Sequence, residues 1–239
     1  ETAYLLDLTI KCVKPIAVIG AMRNSSELGY DGPSNLAAAV CTVISPYSKD
    51  KGVLVVMNNT VNAAGEVTKT NTLNLDTFKS LEFGALGVVD NDRVIYHRNV
   101  VNRQYIPTNN IEVNVDLIKC AAGMDSKLIK YSVDSGSKGI VIEALGRGNV
   151  PPKMLEGVKY AIDKGVCIVL VSRCPTGRVL DTYGYEGGGR QLREMGAILG
   201  GNLPGQKARI KLMLALSITQ DTEDLRKIME YGQYYENEI

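Results

Sequence analysis

The feature that most constrains the fold is a regular alternation of apolar and amphipathic segments between residues 115 and 172. The apolar runs VDLIKCA, KGIVIEAL and VCIVLVS have the length and composition of buried strands. The two segments between them have helical periodicity, and the second begins with proline and ends with glycine. Strands and helices that alternate with short joins predict a parallel sheet with right-handed crossovers.

The first hundred residues predict a second, less regular α/β unit. Residues 3–12 have the apolar spacing of a helix, and KPIAVIGA and VLVVMN are strand candidates. SNLAAAVCTVIS, between the two strands, predicts a helix capped by a serine or an asparagine. GALGVVDNDRVIYHR predicts a hairpin whose turn is Asp90-Asn91-Asp92.

A polar, asparagine-rich stretch from Val101 to Asn114 has neither helical nor strand periodicity, which indicates a domain boundary. We therefore expect an N-terminal domain at residues 1–104, a linker at 105–114 and a C-terminal domain at 115–239. The chain begins with glutamate and enters its first helical pattern without a leading cap, so we expect it to be the later part of a longer protein.

Charge and cysteine content argue against several classes of protein. Lys and Arg number 27 against 26 for Asp and Glu, so the chain has no excess positive charge with which to bind nucleic acid. No apolar run approaches the roughly 20 residues that a membrane helix needs. Five cysteines, an odd number without a CxxC pair, predict buried free thiols in a reducing, cytoplasmic compartment. The single histidine, His97, is interpreted as a strand or surface residue, so we expect no metal site.

The segment GEVTKTNT places one lysine, Lys69, among Thr68, Thr70 and Thr72. An ammonium close to a hydroxyl can lower the pKa of that hydroxyl, or the amine can be kept neutral by burial and serve as a base. Either role suits hydrolysis of an amide. The alternative is a solvated lysine on a loop whose threonines cap turns.

The segment EALGRGNVPP follows the apolar run KGIVIEAL and contains a second candidate, Asn149. Gly146 and Gly148 permit a sharp turn at the carboxyl end of a parallel strand, where α/β proteins bind ligands. Asn149 would then present an amide donor and acceptor to the crevice; alternatively, it caps the next helix. A dinucleotide site is not indicated, because no GxGxxG opens a helix after the first strand and no P-loop is present.

Two further loops contain candidate residues. In the irregular stretch from Ser172 to Leu192, Glu186 could accept a hydrogen bond from an ammonium group, or it could be a first-turn helix carboxylate. After the first strand, Gly20 and Ala21 are small enough for a ligand to approach the backbone closely. In the same loop, Arg23 and Asp31 have opposite charges, and structural bracing is the role that we expect for them.

Taken together, these segments resemble the bacterial-type L-asparaginase family, and its type II members most. GAMR, DGPSNL, GVLVVMNNTV, VTKTNT, TFKS, PTG and QKARIKLMLAL occur in the order and approximate spacing of that family, and the resemblance covers essentially all 239 residues. It implies a three-layer α/β N-terminal domain, truncated at its start. A smaller, flavodoxin-like C-terminal domain with a parallel sheet would follow.

The resemblance implies an amidohydrolase that converts L-asparagine, and L-glutamine more slowly, through a threonine acyl-enzyme without a cofactor. Lys69 matches the lysine that handles protons, and Ala21 matches the alanine whose carbonyl faces the substrate amide nitrogen. Asn149 and Glu186 match residues that a neighbouring subunit contributes toward the α-amino group. Because one extra residue precedes Glu186, Tyr185 or the local backbone is the alternative at that position. Arg147 stands where the family commonly has asparagine.

In the family, the nucleophilic threonine precedes the residues that Glu1 matches. We therefore expect activity only when that segment is present, upstream or as a separate chain. The family forms tetramers, which implies a dimer of dimers here. The type II resemblance favours a periplasmic or secreted location over the cytoplasm. The alternatives in function are the glutaminase-type subunit of a tRNA-dependent amidotransferase and a non-catalytic amino-acid-binding homologue.

Overall fold

A computed structural model describes residues 1–231 of the chain. The chain divides into two compact units, Glu1–Tyr105 and Ile106–Ile239. Within the described residues, every helix is too short or too polar to cross a membrane.

The first unit is a mixed sheet with a helix on each face. Its elements are α1 (Thr2–Thr9), β1 (Ile16–Val18), α2 (Gly32–Ile44), β2 (Val53–Met57), β3 (Thr60–Ala63), β4 (Thr68–Lys69), β5 (Phe78–Lys79), β6 (Gly87–Asp90) and β7 (Arg93–Tyr96). The main sheet has the order β1-β2-β3-β6-β7, in which only β1 and β2 are parallel, and β4 pairs with β5 separately. Alanines of α2 pack on one face of the main sheet and Ala3 of α1 packs on the other, which gives three layers.

Two tight hairpins build the antiparallel part of this sheet. The predicted turn is confirmed: Asn91 and Asp92 have φ of +46° and +58° between β6 and β7. A second hairpin was not predicted, because Asn58 was interpreted as the last residue of a strand and Asn59 as the start of a loop. Their φ values of +50° and +56° reverse the chain between β2 and β3 in the same way. Positive φ at both central residues is the geometry of a two-residue turn, and asparagine tolerates it well.

Helices α1 and α2 have bounds that differ from the predicted ones. Helix α1 ends at Thr9 rather than at residue 12. Helix α2 begins at Gly32, with proline in its first turn and Asp31 at its N-cap position, so the predicted serine or asparagine cap is wrong. The reason is that Pro33 can occupy a first helical turn at no cost in hydrogen bonds, which lets the helix start earlier. Asn35 is thereby placed inside the helix and is buried.

The second unit is a parallel sheet between two layers of helices. Its elements are β8 (Val115–Lys119), α3 (Lys127–Asp134), β9 (Gly139–Ala144), α4 (Leu155–Asp163), β10 (Cys167–Ser172), α5 (Gly189–Glu194), β11 (Ile198–Leu199), α6 (Gly205–Leu216) and α7 (Thr222–Met229). The strands lie in the order β11-β10-β9-β8, and every pair is parallel, as the alternation predicted.

Successive side chains of these strands point to opposite sides, and helices cover both sides, so β9, β10 and β11 are buried on both faces, whereas the edge strand β8 is partly exposed. Ile140 and Ile142 pack with helices α3, α4 and α5, whereas Val141 packs with α6 and α7. The three connecting helices thus lie on one face, as expected for crossovers of one handedness. The two-residue strand β11 was not predicted, because so short a run has no period to detect.

The cysteines are all free, but they are not all buried. Cys120 is buried, whereas Cys12 and Cys174 are exposed, so the expectation of buried thiols is wrong for those two. Cys12 follows the end of α1 and Cys174 lies in the loop after β10, and neither segment is covered by a neighbouring element. His97 is exposed and lies directly after β7.

Candidate active site

The turn after β1 lies at the carboxyl edge of the two parallel strands of the first unit. Strands β1 and β2 pair through Ile16 and Val53, so both end at the same edge, where Gly20 and Asn58 follow them. The Gly20 N–H donates to Met57 Sδ at 3.2 Å. The turn places Ala21 at this edge, and the residue is exposed.

A buried asparagine fastens the two strand ends together. Asn35 is 1% exposed, and its Nδ2 donates to the carbonyl of Gly20 at 3.0 Å. Its Oδ1 accepts from the N–H of Asn58 at 2.8 Å. One amide side chain therefore bridges the ends of β1 and β2 from the first turn of α2.

Asp31 holds the other side of the same turn. Its carboxylate accepts from the Met22 N–H at 2.9 and 3.0 Å, from the Arg23 N–H at 3.0 Å and from Asn35 Nδ2 at 2.9 Å. Desolvation acts to raise the pKa of Asp31, but these hydrogen bonds outweigh it and hold the pKa below its usual value. Asp31 and Arg23 do brace the loop, although through backbone groups: the Arg23 guanidinium donates to the carbonyls of Leu28 and Gly29.

Lys69 lies in a strand, not in the loop that was predicted. It is directly opposite Phe78 in the β4–β5 ladder, so the two side chains share one face of this small hairpin. Phe78 packs against the same apolar cluster as Met22, the neighbour of Ala21. The register thus directs Lys69 to the side of the hairpin that faces the cluster beside the Ala21 turn.

The threonines around Lys69 have structural contacts. The backbone N–H and the hydroxyl of Thr70 both donate to the carbonyl of Thr77, at 2.9 Å each. Lys69 itself is exposed, and residues 1–231 contain no hydrogen-bond or ion-pair partner for its ammonium. Burial therefore does not desolvate this amine in the structure.

Asn149 lies where two loops of the second unit meet. Gly146 and Gly148 adopt φ of +49° and +114°, which confirms the sharp turn predicted after β9. Asn149 Oδ1 accepts from the N–H of Gly189 at 3.3 Å, in the first turn of α5. Asn149 therefore accepts a hydrogen bond from the N-terminus of α5, not from that of α4, the next helix along the chain. Its Nδ2 has no partner within the described part of the chain.

The loop that contains Glu186 is fastened to the Asn149 loop by backbone hydrogen bonds. The Val150 N–H donates to the carbonyl of Gly187 at 2.9 Å, and the Leu180 N–H donates to the carbonyl of Arg147 at 3.0 Å. A Cβ on Gly187 would lie 2.3 Å from the Val150 carbonyl oxygen, so only glycine permits this approach. The carboxylate of Glu186, on the adjacent residue, is exposed and has no hydrogen-bond or ion-pair partner among residues 1–231.

The four candidate residues fall into two pairs, one in each unit. In the first unit, Met22 follows Ala21 and Phe78 lies opposite Lys69, and both apolar residues pack on one cluster; in the second, Asn149 and Glu186 lie on loops joined at the carboxyl edge of the parallel sheet. Tyr185, the alternative to Glu186, is exposed, and its ring lies 5.5 Å from that of Tyr183.

Two buried asparagines near these residues were not identified from the sequence. One is Asn35; the other is Asn62, which is 1% exposed and bonds the Phe78 carbonyl and the Ser80 hydroxyl at 3.3 and 2.9 Å. Both stand among alanines and valines on the inner face of an element. A lone amide in an apolar pattern is a usable signal, because a buried amide requires hydrogen-bond partners.

Comparison with known sequences agrees with this arrangement. The family model described as "Asparaginase, N-terminal" matches residues 1–102, and the model described as "Glutaminase/Asparaginase C-terminal domain" matches residues 114–229.

The chain belongs to the asparaginase family.

Individual members of the asparaginase family match most of the chain. An L-asparaginase of Bacillus licheniformis is 38% identical over 91% of this chain and 67% of its own length. L-asparaginase 2 of Escherichia coli K12 is 37% identical over 98% of this chain and 67% of its own length. A glutaminase-asparaginase of Acinetobacter glutaminasificans is 32% identical over 95% of this chain and 70% of its own length. The chain thus spans about two thirds of the length of these relatives.

Proposed function

We propose that this chain acts in an amidohydrolase that converts L-asparagine, and L-glutamine more slowly, to the acid and ammonia. Membership of the asparaginase family supports the reaction. The observation that supports the site is the register of β4 with β5, because it sets Lys69 on the face of the hairpin that packs beside the Ala21 turn.

In the proposed reaction, a threonine hydroxyl attacks the side-chain amide carbon of the substrate, and its proton passes to a base. The amide nitrogen takes up a proton and leaves as ammonia, which gives an acyl-enzyme that water then hydrolyses to the acid. The nucleophilic threonine is not among these 239 residues in this proposal. Lys69 would stabilise the developing charge or transfer the proton beside that hydroxyl, and the Ala21 carbonyl would accept a hydrogen bond from the substrate amide nitrogen.

Asn149 and Glu186 would recognise the amino-acid end of the substrate in the site of a neighbouring copy. A carboxylate without a partner is suited to bind an ammonium, and the Asn149 oxygen, which keeps a second lone pair, can accept a hydrogen bond from the same group. This role requires an oligomer. We propose a homotetramer arranged as a dimer of dimers. The free cysteines favour the cytoplasm over the periplasm, which cell fractionation would test.

The test is release of ammonia from L-asparagine and L-glutamine by the complete encoded protein. Added hydroxylamine should compete with water for the acyl-enzyme and divert part of it to β-aspartyl hydroxamate. If neither L-asparagine nor L-glutamine releases ammonia, the proposed hydrolase activity is refuted. Glutamine turnover that requires aminoacyl-tRNA and a partner subunit would instead support the amidotransferase alternative, and asparagine binding without turnover would support a binding protein.

A further inference from the structure

Two peptide planes determine where the carbonyl of Ala21 points, and both are fixed by side chains. The plane that precedes Ala21 contains the Gly20 carbonyl, which accepts from Asn35 Nδ2 at 3.0 Å. The plane that follows contains the Ala21 carbonyl and the Met22 N–H, which donates to both oxygens of Asp31 at 2.9 and 3.0 Å.

The geometry of the second plane has a direct consequence for Ala21. The peptide bond is trans, since residues 1–231 contain no cis peptide bond, so its N–H and C=O point in opposite directions. Because Asp31 holds the Met22 N–H, the Ala21 oxygen must point away from Asp31. That oxygen receives no hydrogen bond from the residues that the structure describes, and Ala21 is exposed.

The carboxylate also changes how strongly the carbonyl can accept a hydrogen bond. Hydrogen bonds in a chain polarise one another, and an acceptor that bears a full charge polarises its donor more than a neutral one. Asp31 therefore increases the negative charge on the Ala21 oxygen through the shared peptide group. The depressed pKa of Asp31 agrees with a carboxylate that remains ionised in this position.

We propose that Asp31 and Asn35 are positioning residues for amide hydrolysis, which act on the substrate through the Ala21 carbonyl. This inference rests on the proposed function, in which that carbonyl faces the amide nitrogen of the substrate. As the amide carbon becomes tetrahedral, the nitrogen gains protons and positive charge before it leaves. A polarised, correctly aimed carbonyl binds this protonated nitrogen more tightly than it binds the nitrogen of the ground-state amide. Asp31 and Asn35 therefore favour the transition state.

The product provides an internal control, because L-aspartate has no amide nitrogen. Loss of the Asp31 charge should therefore reduce kcat for L-asparagine and leave the inhibition constant of L-aspartate unchanged. Asp31→Asn is nearly isosteric and removes the charge. Thr42→Val is a matched control on the same helix, because the buried Thr42 hydroxyl bonds only the Ala38 carbonyl at 2.8 Å and lies away from the turn.

The experiment uses the complete encoded protein and measures steady-state kinetics, L-aspartate inhibition and unfolding midpoints for each variant. We expect Asp31→Asn to lower kcat by about tenfold to a hundredfold and to change the inhibition constant by less than about twofold. Thr42→Val should retain the wild-type kcat, even if its unfolding midpoint falls as far as that of Asp31→Asn. An inhibition constant that weakens in parallel with kcat, or an unchanged kcat, would overturn the proposal.

A second measurement does not depend on activity. Amide hydrogen exchange at Met22 should be faster in Asp31→Asn and in Asn35→Ala than in wild type, and unchanged in Thr42→Val. Equal protection of Met22 in all four proteins would show that the pair does not hold the turn. If the wild-type protein releases no ammonia, the proposed function fails, and the exchange data still decide whether the turn depends on Asp31 and Asn35.

Discussion

Lys69 and Lys79 lie on adjacent strands of one hairpin but in different surroundings. Lys79 pairs with Thr68 in the ladder, so it occupies the opposite face from Lys69, and its ammonium forms an ion pair with Asp76 at 2.7 Å. An exposed pair of this kind contributes little to stability. The two lysines are thus matched in exposure and backbone but differ in the face on which they lie.

This difference makes a specific prediction for catalysis. Lys69→Met should lower kcat by roughly 100-fold to 10,000-fold, the usual range for removal of a proton-transferring group. Lys79→Met should remain within about twofold of wild type, because it alters only an exposed ion pair. Ammonia release by the complete encoded protein measures both. Similar losses in the two variants would mean that the hairpin matters only for folding.

A third lysine, Lys211 on α6, is predicted to affect stability rather than activity. It is 3% exposed, and its Nζ donates to the carbonyl of Met229 at the end of α7, at 3.1 Å. Burial lowers the pKa of Lys211 to about 7, against 10.5 for an unperturbed lysine. Between these values Lys211 is protonated in the unfolded chain and neutral in the folded one, so this lysine contributes a rise of the free energy of unfolding with pH.

The predicted slope is at most on the order of 1 kcal/mol per pH unit between pH about 7 and about 8.5. At higher pH the buried thiols of Cys120 and Cys167, whose pKa values are raised by burial, lower the free energy of unfolding and oppose this rise. Lys211→Met should remove this rise, whereas Lys159→Met, at an exposed position on α4, should retain it. Urea unfolding followed by circular dichroism at several pH values provides the measurement. A wild-type protein whose stability does not increase over this range would contradict the assignment to Lys211.

At the scale of elements, the two loops at the edge of the second sheet are joined partly through one side chain. Asn149→Asp keeps an oxygen that can accept from the Gly189 N–H but loses the Nδ2 donor, whereas Asn149→Ala loses both. We therefore expect Asn149→Ala to lower the free energy of unfolding by about 1 kcal/mol and Asn149→Asp to have little effect on it. Asn149→Ala should also raise KM for L-asparagine by about tenfold, because no oxygen remains to accept from the α-ammonium group. A wild-type KM in Asn149→Ala would exclude a contact between the Asn149 side chain and the substrate.

The sequence predicted those elements whose pattern is both periodic and long. The three strands β8, β9 and β10 and the helices between them were found because the apolar runs are bounded by proline and glycine. Strand β3 was missed, although Asn58-Asn59 is a turn signal of the same kind as Asn91-Asp92. The difference is that the residues after Asn59 include a buried Asn62, which breaks the apolar alternation.

The candidate site, like the fold, could be predicted only in part. Lys69, Ala21, Asn149 and Glu186 were selected from local segments and from the resemblance to asparaginases. Their supporting contacts depend on groups far apart in the chain, such as Asn35 with Asn58 and Asn149 with Gly189. A local pattern cannot contain those pairings, because the parallel sheets that create them join strands across intervening helices. The sequence therefore indicated candidate residues but not the hydrogen bonds that hold their loops in place.

At the scale of the whole molecule, each unit supplies a different half of the proposed site. The first unit contains Ala21 and Lys69, to which the proposed function assigns the amide that reacts. The second contains Asn149 and Glu186, whose free polar groups suit the amino-acid end of the substrate. In the proposed oligomer, the two halves of one site come from different copies, so defects in different units should be separable.

This separation predicts complementation between two variants that are each impaired. In a mixed dimer of Lys69→Met and Asn149→Ala chains, one site receives both defects, while the other receives Lys69 from one copy and Asn149 from its partner, both intact. Random pairing makes half of the dimers mixed, with one of two sites intact, so co-folded chains should recover about a quarter of the wild-type kcat/KM. Each variant refolded alone is the control. If Asn149 instead served the site of its own chain, every site in a mixed dimer would retain one defect, and co-folding would give only the average of the separate activities.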